Sequence, residues 1–280
     1  MRQTAKAKPM KTEFYNGQEY VRLTDGGVDA LYRLSPVSPA KDLQAVLIDL
    51  DGTTLDSERF WVRMIELSMR AFRADFTLAP EDIAHVVGYT TREHLRYCIQ
   101  KYGLPVSEGE ADSIYHTVVE RELANIKRNK DAGAFPIRRG LPAFLTELKR
   151  RGLKIGLVTS GLLYKAEAEL ASLEAQLGQP LSKVYDAVIT GGVRKTCGRY
   201  GTLGELAAKP HPWLYAEIAA SLNVTGGRAV VVEDSASGAI AGRLAGFPVF
   251  GFSDGTVFSG GVGDWVIKVD TFDDVLRFLR

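Results

Sequence analysis

The sequence predicts an α/β protein: a doubly wound parallel sheet with a helical module inserted after its first strand and a short β-meander ahead of it. From Leu43 onward, short Val/Ile/Leu-rich runs alternate with helical segments, the pattern of strands covered on both faces. After the first such run, residues 59–135 carry helical periodicity and no comparable strand. Before it, residues 12–34 alternate apolar and polar side chains around tight-turn dipeptides.

In "TEFYNGQEYVRLTDGGVDALYRL", Asn16-Gly17 and Asp25-Gly26-Gly27 supply the positive-φ chemistry of two hairpin connections. "SPVSPAKD", with Pro36 and Pro39, reads as a linker, so residues 1–42 form an N-terminal extension. The expected strands are 45–50, 154–160, 186–190, 229–234, 248–252 and 264–269. Amphipathic helices are expected in "RFWVRMIELSMRAF", "REHLRYCIQKYG" and "EADSIYHTVVERELANIKRNK". The expected division is a core of 43–58 with 136–280 and a helical insertion of 59–135, with no internal repeat.

Composition excludes several functional classes. Of 280 residues, 45% are hydrophobic and 25% charged, as in a soluble chain with a sizeable core. Thirty-five basic against thirty-four acidic residues leave a net charge of +1, so no broad field selects nucleic acid or an anionic membrane. Any anion must be bound locally. Cys98 and Cys197 have neither metal-ligand nor disulfide-framework spacing, which suits a reducing compartment. The basic start "MRQTAKAKPMK" is followed by no apolar run of signal-peptide or membrane-span length, and a cytoplasmic protein is expected.

The chemistry is signalled by "VLIDLDGTTLDSE", where an apolar strand ends with Asp49 and Asp51 one residue apart. Side chains at i and i+2 of an extended segment share a side, and the crevice beyond the strand ends is the usual ligand site of open α/β sheets. Two carboxylates there repel unless a cation or proton intervenes. A polar strand exit explains one aspartate more easily than two. Glu233-Asp234 ends another apolar strand, "AVVVED", and carboxylates converging at strand ends suit a hard divalent ion such as Mg²⁺.

Four ordered motifs then resemble the haloacid-dehalogenase superfamily of aspartyl phosphotransferases, in the branch with a helical cap after the first strand. They are "DLDGTTLDS", "KIGLVTSG", "AKPHPWLY" and "VVVEDSASGAIAGRLAG". The resemblance spans Leu43 to Arg280 and departs from the commoner first motif at Thr54. It implies a Rossmann-like core, a cap over residues 59–135, and a Mg²⁺-dependent phosphatase acting on a small phosphorylated metabolite. Asp49 would be the nucleophile and Asp51 the acid/base. Mg²⁺ would be held by the carboxylates of Asp49 and Asp234 and the backbone carbonyl of Asp51, with Glu233 supporting metal-bound water.

Thr159, with Ser160 and Gly161 opening a helix, would bind a phosphate oxygen, and Lys209 would hold another. Taken alone, Thr159 would read as a helix cap and Lys209 as a solvated charge. Relatives acting on carbon–halogen or phosphonate bonds lack an acid at the place of Asp51, so phosphate esters are favoured. Sugar-phosphate mutases keep that acid but commonly carry a histidine near the place of Trp61. A mutase is the alternative, and a non-catalytic phospholigand-binding protein a third. The cap stretch "GYTTREHLR", with Tyr89, Thr91 and Arg92, is expected to govern substrate choice, and Arg92 to grip a second anionic group. His85, His94, His116 and His211 form no ligand or triad spacing, and 191–207 is a Gly-rich, basic connection beside Lys209.

Overall fold

Three antiparallel strands open the chain: β1 (Met10–Tyr15), β2 (Gln18–Asp25) and β3 (Val28–Arg33). Tyr15 pairs with Gln18 across Asn16-Gly17, whose φ values of 50° and 75° are those of a two-residue hairpin turn. In this computed structural model the described residues are 10–25, 28–37, 42–83, 91–191, 208–224, 227–258 and 265–279. The second hairpin pairs Asp25 with Val28, and its Gly26-Gly27 turn lies outside those residues.

The main sheet is wholly parallel. It contains β4 (Ala45–Asp49), β5 (Lys154–Val158), β6 (Ala187–Ile189), β7 (Ala229–Glu233), β8 (Val249–Phe252) and β9 (Val266–Val269). Their spatial order is β6-β5-β4-β7-β8-β9. The chain builds outward from β4 through β5 to β6, then returns to the other side of β4 with β7. The carboxyl ends of β4 and β7 therefore flank the switch point of a doubly wound sheet, where a crevice must open. All five residues of each of those strands are buried, as their unbroken apolar runs require.

Between β4 and β5 stand α1 (Glu58–Met69), α2 (Pro80–Ile83), α3 (Thr91–Tyr102), α4 (Glu108–Asn129) and α5 (Leu141–Arg150). The three amphipathic stretches read from periodicity are α1, α3 and α4. The four-residue α2 is too short to leave a periodic signal. A reciprocal Ser107–Glu110 capping box starts α4, which buries Ala111, Tyr115, Val119, Leu123 and Ile126, one stripe of its surface. Later come α6 (Leu163–Leu177), α7 (Leu181–Val184), α8 (Trp213–Ser221), α9 (Ala236–Leu244) and α10 (Phe272–Phe278).

Two apolar clusters hold the layers. One joins Val46 and Ile48 of the sheet to Met64, Leu95, Tyr115 and Phe135, so the inserted helices share a core with the sheet. The other joins Leu47 to Tyr215 and Ile218 of α8, and also to Val21, Leu23 and Leu34 of the meander. The N-terminal extension is thus packed onto the sheet domain. No helix among the described residues is long and apolar enough to cross a membrane.

Candidate active site

The chain leaves β4 through a tight loop. Leu50 donates its N–H to Val158 O at 3.0 Å, while the N–H groups of Thr54 and Leu55 return to Leu50 O at 3.0 and 2.9 Å. Gly52 adopts φ 79°, and a Cβ there would lie 2.1 Å from Asp234 Oδ2, so only glycine fits. Thr54 is fully buried, and its hydroxyl donates to Asp49 O at 2.7 Å. A polar residue at that buried place thereby acts as a brace for the strand end.

Asp49, Glu233 and Asp234 are all buried and offer carboxylate oxygens within 4.8 Å of one another. Lys209 Nζ donates to Asp49 Oδ1 and, at 2.7 Å, to Glu233 Oε1. Glu233 is saturated: Oε1 also accepts from Tyr215 OH at 2.6 Å, and Oε2 from Ser235 Oγ at 3.0 Å. Gly238 leaves it room, since a Cβ there would meet Glu233 Oε1 at 1.8 Å. Asp234 Oδ1 accepts from Thr53 at 3.2 Å, whereas buried Asp49 Oδ2 meets no donor.

Three carboxylates share one ammonium. Burial, and then Glu233, raise the Asp49 carboxyl well above the ordinary range, with Lys209 pulling the other way. Burial and Glu233 push Asp234 up to about 8. For Lys209, burial lowers the pKa but Asp49 and Glu233 outweigh it, so the ammonium is kept. The surplus negative charge calls for a proton or a cation. An all-oxygen donor set, an orphaned buried oxygen on Asp49 and the Gly52 cradle fit a hard divalent ion such as Mg²⁺.

The Asp51 carboxylate is held by other partners: it accepts from Ser57 Oγ at 2.8 Å and from Thr159 Oγ1 at 3.0 Å. Thr159 Oγ1 in turn accepts from Gly161 N at 2.8 Å, and Ser160 Oγ accepts from Lys209 N at 3.2 Å. Asp49, Asp51, Ser160, Gly161, Lys209 and Asp234 line one cavity of about 330 Å³. The structure therefore brings the residues of all four motifs to one place.

Beyond them, Trp61, Thr91, His94, Tyr115, Lys165 and Glu169 line the same cavity. Arg92 lies in the first turn of α3, but its side chain is outside the described residues, as are Tyr89, His85 and 192–207. His116 is exposed on α4, with Nδ1 2.8 Å from Asp112 O. His211 is fully buried, its Nδ1 2.8 Å from Tyr32 OH.

Sequence reasoning missed several residues. Arg138 reaches Gly52 O through Nε at 3.0 Å and Nη2 at 2.6 Å, clamping the loop that follows β4. Tyr215, Ser57, Lys165 and Glu169 were also unmarked. Arg138 carries no local signal, whereas Lys165 and Glu169 share a helix face at i and i+4 just after the second motif.

The chain belongs to the haloacid dehalogenase-like hydrolases, whose family model matches residues 43–246. Protein CbbY of Cereibacter sphaeroides is 26% identical over 206 residues, covering 73% of this chain and 81% of that protein. A phosphoglycolate phosphatase of Caulobacter vibrioides is 27% identical over 220 residues, covering 76% of this chain and 81% of that protein. In fold the chain is similar to CbbY from Rhodobacter sphaeroides in complex with phosphate, with TM-score 0.60, 22% identity, and 83% and 96% of the two chains covered.

Proposed function

We propose that this protein is a Mg²⁺-dependent phosphatase that hydrolyses a small phosphorylated metabolite through an aspartyl-phosphate on Asp49. The carrying observation is the convergence, on one cavity, of the Asp49–Glu233–Asp234 cluster with Lys209 and of Asp51 held by Ser57 and Thr159. The phosphatases among its relatives support the same class, a phosphoric monoester hydrolase. Residues 59–135 act in this reading as the cap over the core formed by 43–58 and 136–280. A cytoplasmic setting suits it.

Asp49 attacks phosphorus, forming the Asp49–phosphorus bond as the ester oxygen departs with its electron pair. Asp51 gives that oxygen its proton, then takes one from the water that attacks the phosphoryl group, releasing phosphate and restoring Asp49. Ser57 and Thr159 fix the Asp51 carboxylate, so the proton is delivered from one orientation. Lys209 orients Asp49, and the backbone at Ser160 and Gly161 faces the cavity where phosphate oxygens would sit. Bound Mg²⁺ would neutralise charge on the transferring group, held by Asp49, Asp234 and the Asp51 carbonyl with Glu233 in support.

Hydrolysis is favoured over phosphosugar mutation by Trp61. It packs edge-on to Phe60 at 5.0 Å and beside Phe135 at 6.3 Å, so no imidazole stands at that position on α1; the imidazole that does line the cavity, His94, comes from α3. The test is a panel of phosphorylated metabolites with and without Mg²⁺, following free phosphate and isomerised product separately. Mg²⁺-dependent phosphate release that Asp49→Asn abolishes is expected; isomerisation outrunning release would replace hydrolase with mutase.

A further inference from the structure

Among the described residues, β1 pairs with β2 alone, which makes its other side an open sheet edge. The six pairs from Met10–Leu23 to Tyr15–Gln18 run in unbroken register, with no bulge to bend that edge away. Val21 and Leu23 of β2 enter the core, whereas no described side chain of β1 belongs to either apolar cluster. Phe14 lies on the same face of the meander as Val21 and Leu23, yet it is 71% exposed. The order of β1 therefore comes from strand pairing and not from core burial.

The hairpin sets which backbone groups face outward. Tyr15 and Gln18 flank the two-residue turn and form its closing hydrogen-bonded pair, so bonded and non-bonded pairs alternate back along β1. The backbones of Glu13 and Lys11 then bond to β2, while Phe14 and Thr12 turn their N–H and C=O groups to the open edge. The far side of β2 agrees: Glu19, opposite Phe14, gives its carbonyl to Leu34 N at 2.9 Å. This edge is self-complementary about Thr12. When two β1 strands pair antiparallel with Thr12 opposite Thr12, outward groups meet outward groups, and Lys11 of each copy faces Glu13 of the other. Centring on Lys11 would oppose two ammonium groups, and centring on Glu13 two carboxylates. A centre between two residues would set outward groups against a backbone already bonded to β2, and one nearer either end shortens the overlap.

We propose that β1 is a self-association edge: two copies of this chain pair their β1 strands antiparallel about Thr12, joining two meanders into one continuous sheet with two-fold symmetry. Lys11 is exposed, and Glu13 has an oxygen to offer it. Glu13 Oε2 accepts from Tyr15 OH, while Arg22, with its fork on Asp29 at 2.8 and 2.6 Å, stays 4.0 Å from Glu13 Oε1. Phe14 of each copy comes diagonally beside Thr12 of the other, which covers part of its exposed ring. A single strand pair is at the small end of interface sizes, so the dissociation constant should be about 1–100 μM. No residue of the meander lines the active-site cavity, and the interface does not depend on the phosphatase reading.

Sedimentation velocity of the full chain, over a concentration series reaching about 0.5 mM, should show a monomer–dimer equilibrium. Thr12→Pro should give a monomer throughout, because the ring removes an outward N–H at the centre of the contact and no bond to β2 is lost. Lys11→Glu and Glu13→Lys should each weaken the dimer about tenfold or more, since two like-charged pairs replace two opposite ones. These two exchanges leave the core untouched, so they test the contact even if the proline disturbs β1. The double variant Lys11→Glu/Glu13→Lys should recover the wild-type dissociation constant. An equimolar mixture of the two single variants should form heterodimers, because every facing pair is then opposite in sign. A monomer at every concentration would overturn the proposal and leave the edge to another kind of partner. A dimer indifferent to Thr12→Pro and to both charge reversals would overturn it as well, by placing the contact on another surface. Weakening by the single reversals without rescue in the double variant or the mixture would contradict the register about Thr12.

Discussion

Lys209 Nζ lies 2.7 Å from Glu233 Oε1 with both side chains buried, and the same ammonium serves Asp49, so one cation holds two carboxylates across the β4/β7 crevice. Removing one member of a buried charge pair costs about 3–5 kcal/mol, because the partner stays buried and unpaired. Lys209→Met should abolish turnover and lower metal-free stability by about that amount in urea unfolding. Mg²⁺ should recover part of the stability but none of the activity. An unchanged unfolding midpoint would show that the cluster is solvated.

Metal-free protein should lose stability as pH rises. Asp234 titrates at about 8 in the folded chain, raised by burial and Glu233, against about 3.9 for an ordinary aspartate. Between those values the native state binds more protons than the unfolded one, so stability is greatest on the acid side and falls as pH climbs toward about 8. Mg²⁺, bound by the ionised form, should raise Tm more at pH 8 than at pH 5. Differential scanning calorimetry with chelator and with Mg²⁺ reads this directly; a Mg²⁺ effect that shrinks with rising pH would count against the cluster as the ion's site.

Gly52→Ala should impair metal binding. The new Cβ would sit 2.1 Å from Asp234 Oδ2 on a residue at φ 79°, so Asp234 or the loop must move. A left-handed non-glycine residue costs roughly 1–2 kcal/mol by itself. The Mg²⁺ concentration for half-maximal activity should rise at least several-fold. A Mg²⁺ requirement equal to the wild type would mean that Asp234 does not face the ion.

The meander should unfold with the sheet domain. Leu23 is buried in the cluster that contains Leu47 and Ile218, and truncating a buried leucine costs about 2–5 kcal/mol. Leu23→Ala should therefore shift one cooperative urea transition to lower concentration, in fluorescence and circular dichroism alike. A mutant with the wild-type midpoint would place β1–β3 outside the cooperative unit.

Features confined to a few neighbouring residues could be read from the sequence. The apolar runs gave the strands to within a residue or two, Asn16-Gly17 gave the first hairpin, and Asp49, Glu233 and Asp234 could be placed together because strand ends of a doubly wound sheet converge. Long-range partners could not. Arg138 clamps Gly52 from 86 residues away, and Tyr215 reaches Glu233 from α8; neither type nor spacing announces such contacts. The Asp49–Asp51 spacing suggested two carboxylates in one cluster, but Ser57 and Thr159 hold the Asp51 carboxylate on separate bonds. Lys165 and Glu169 went unmarked in the sequence, because only the fold turns that face of α6 toward the cavity.

Asp49 is the proposed nucleophile, its carboxylate oxygen forming the bond to phosphorus. Acid-quenched turnover of a phosphate monoester in Mg²⁺, followed by peptide mass spectrometry, tests this most directly. The peptide containing Asp49 should gain the mass of one phosphoryl group, localised to Asp49 and absent from a folded, inactive Asp49→Asn variant. Phosphate release at the wild-type rate by that variant, with no phosphorylated peptide in either protein, would contradict it.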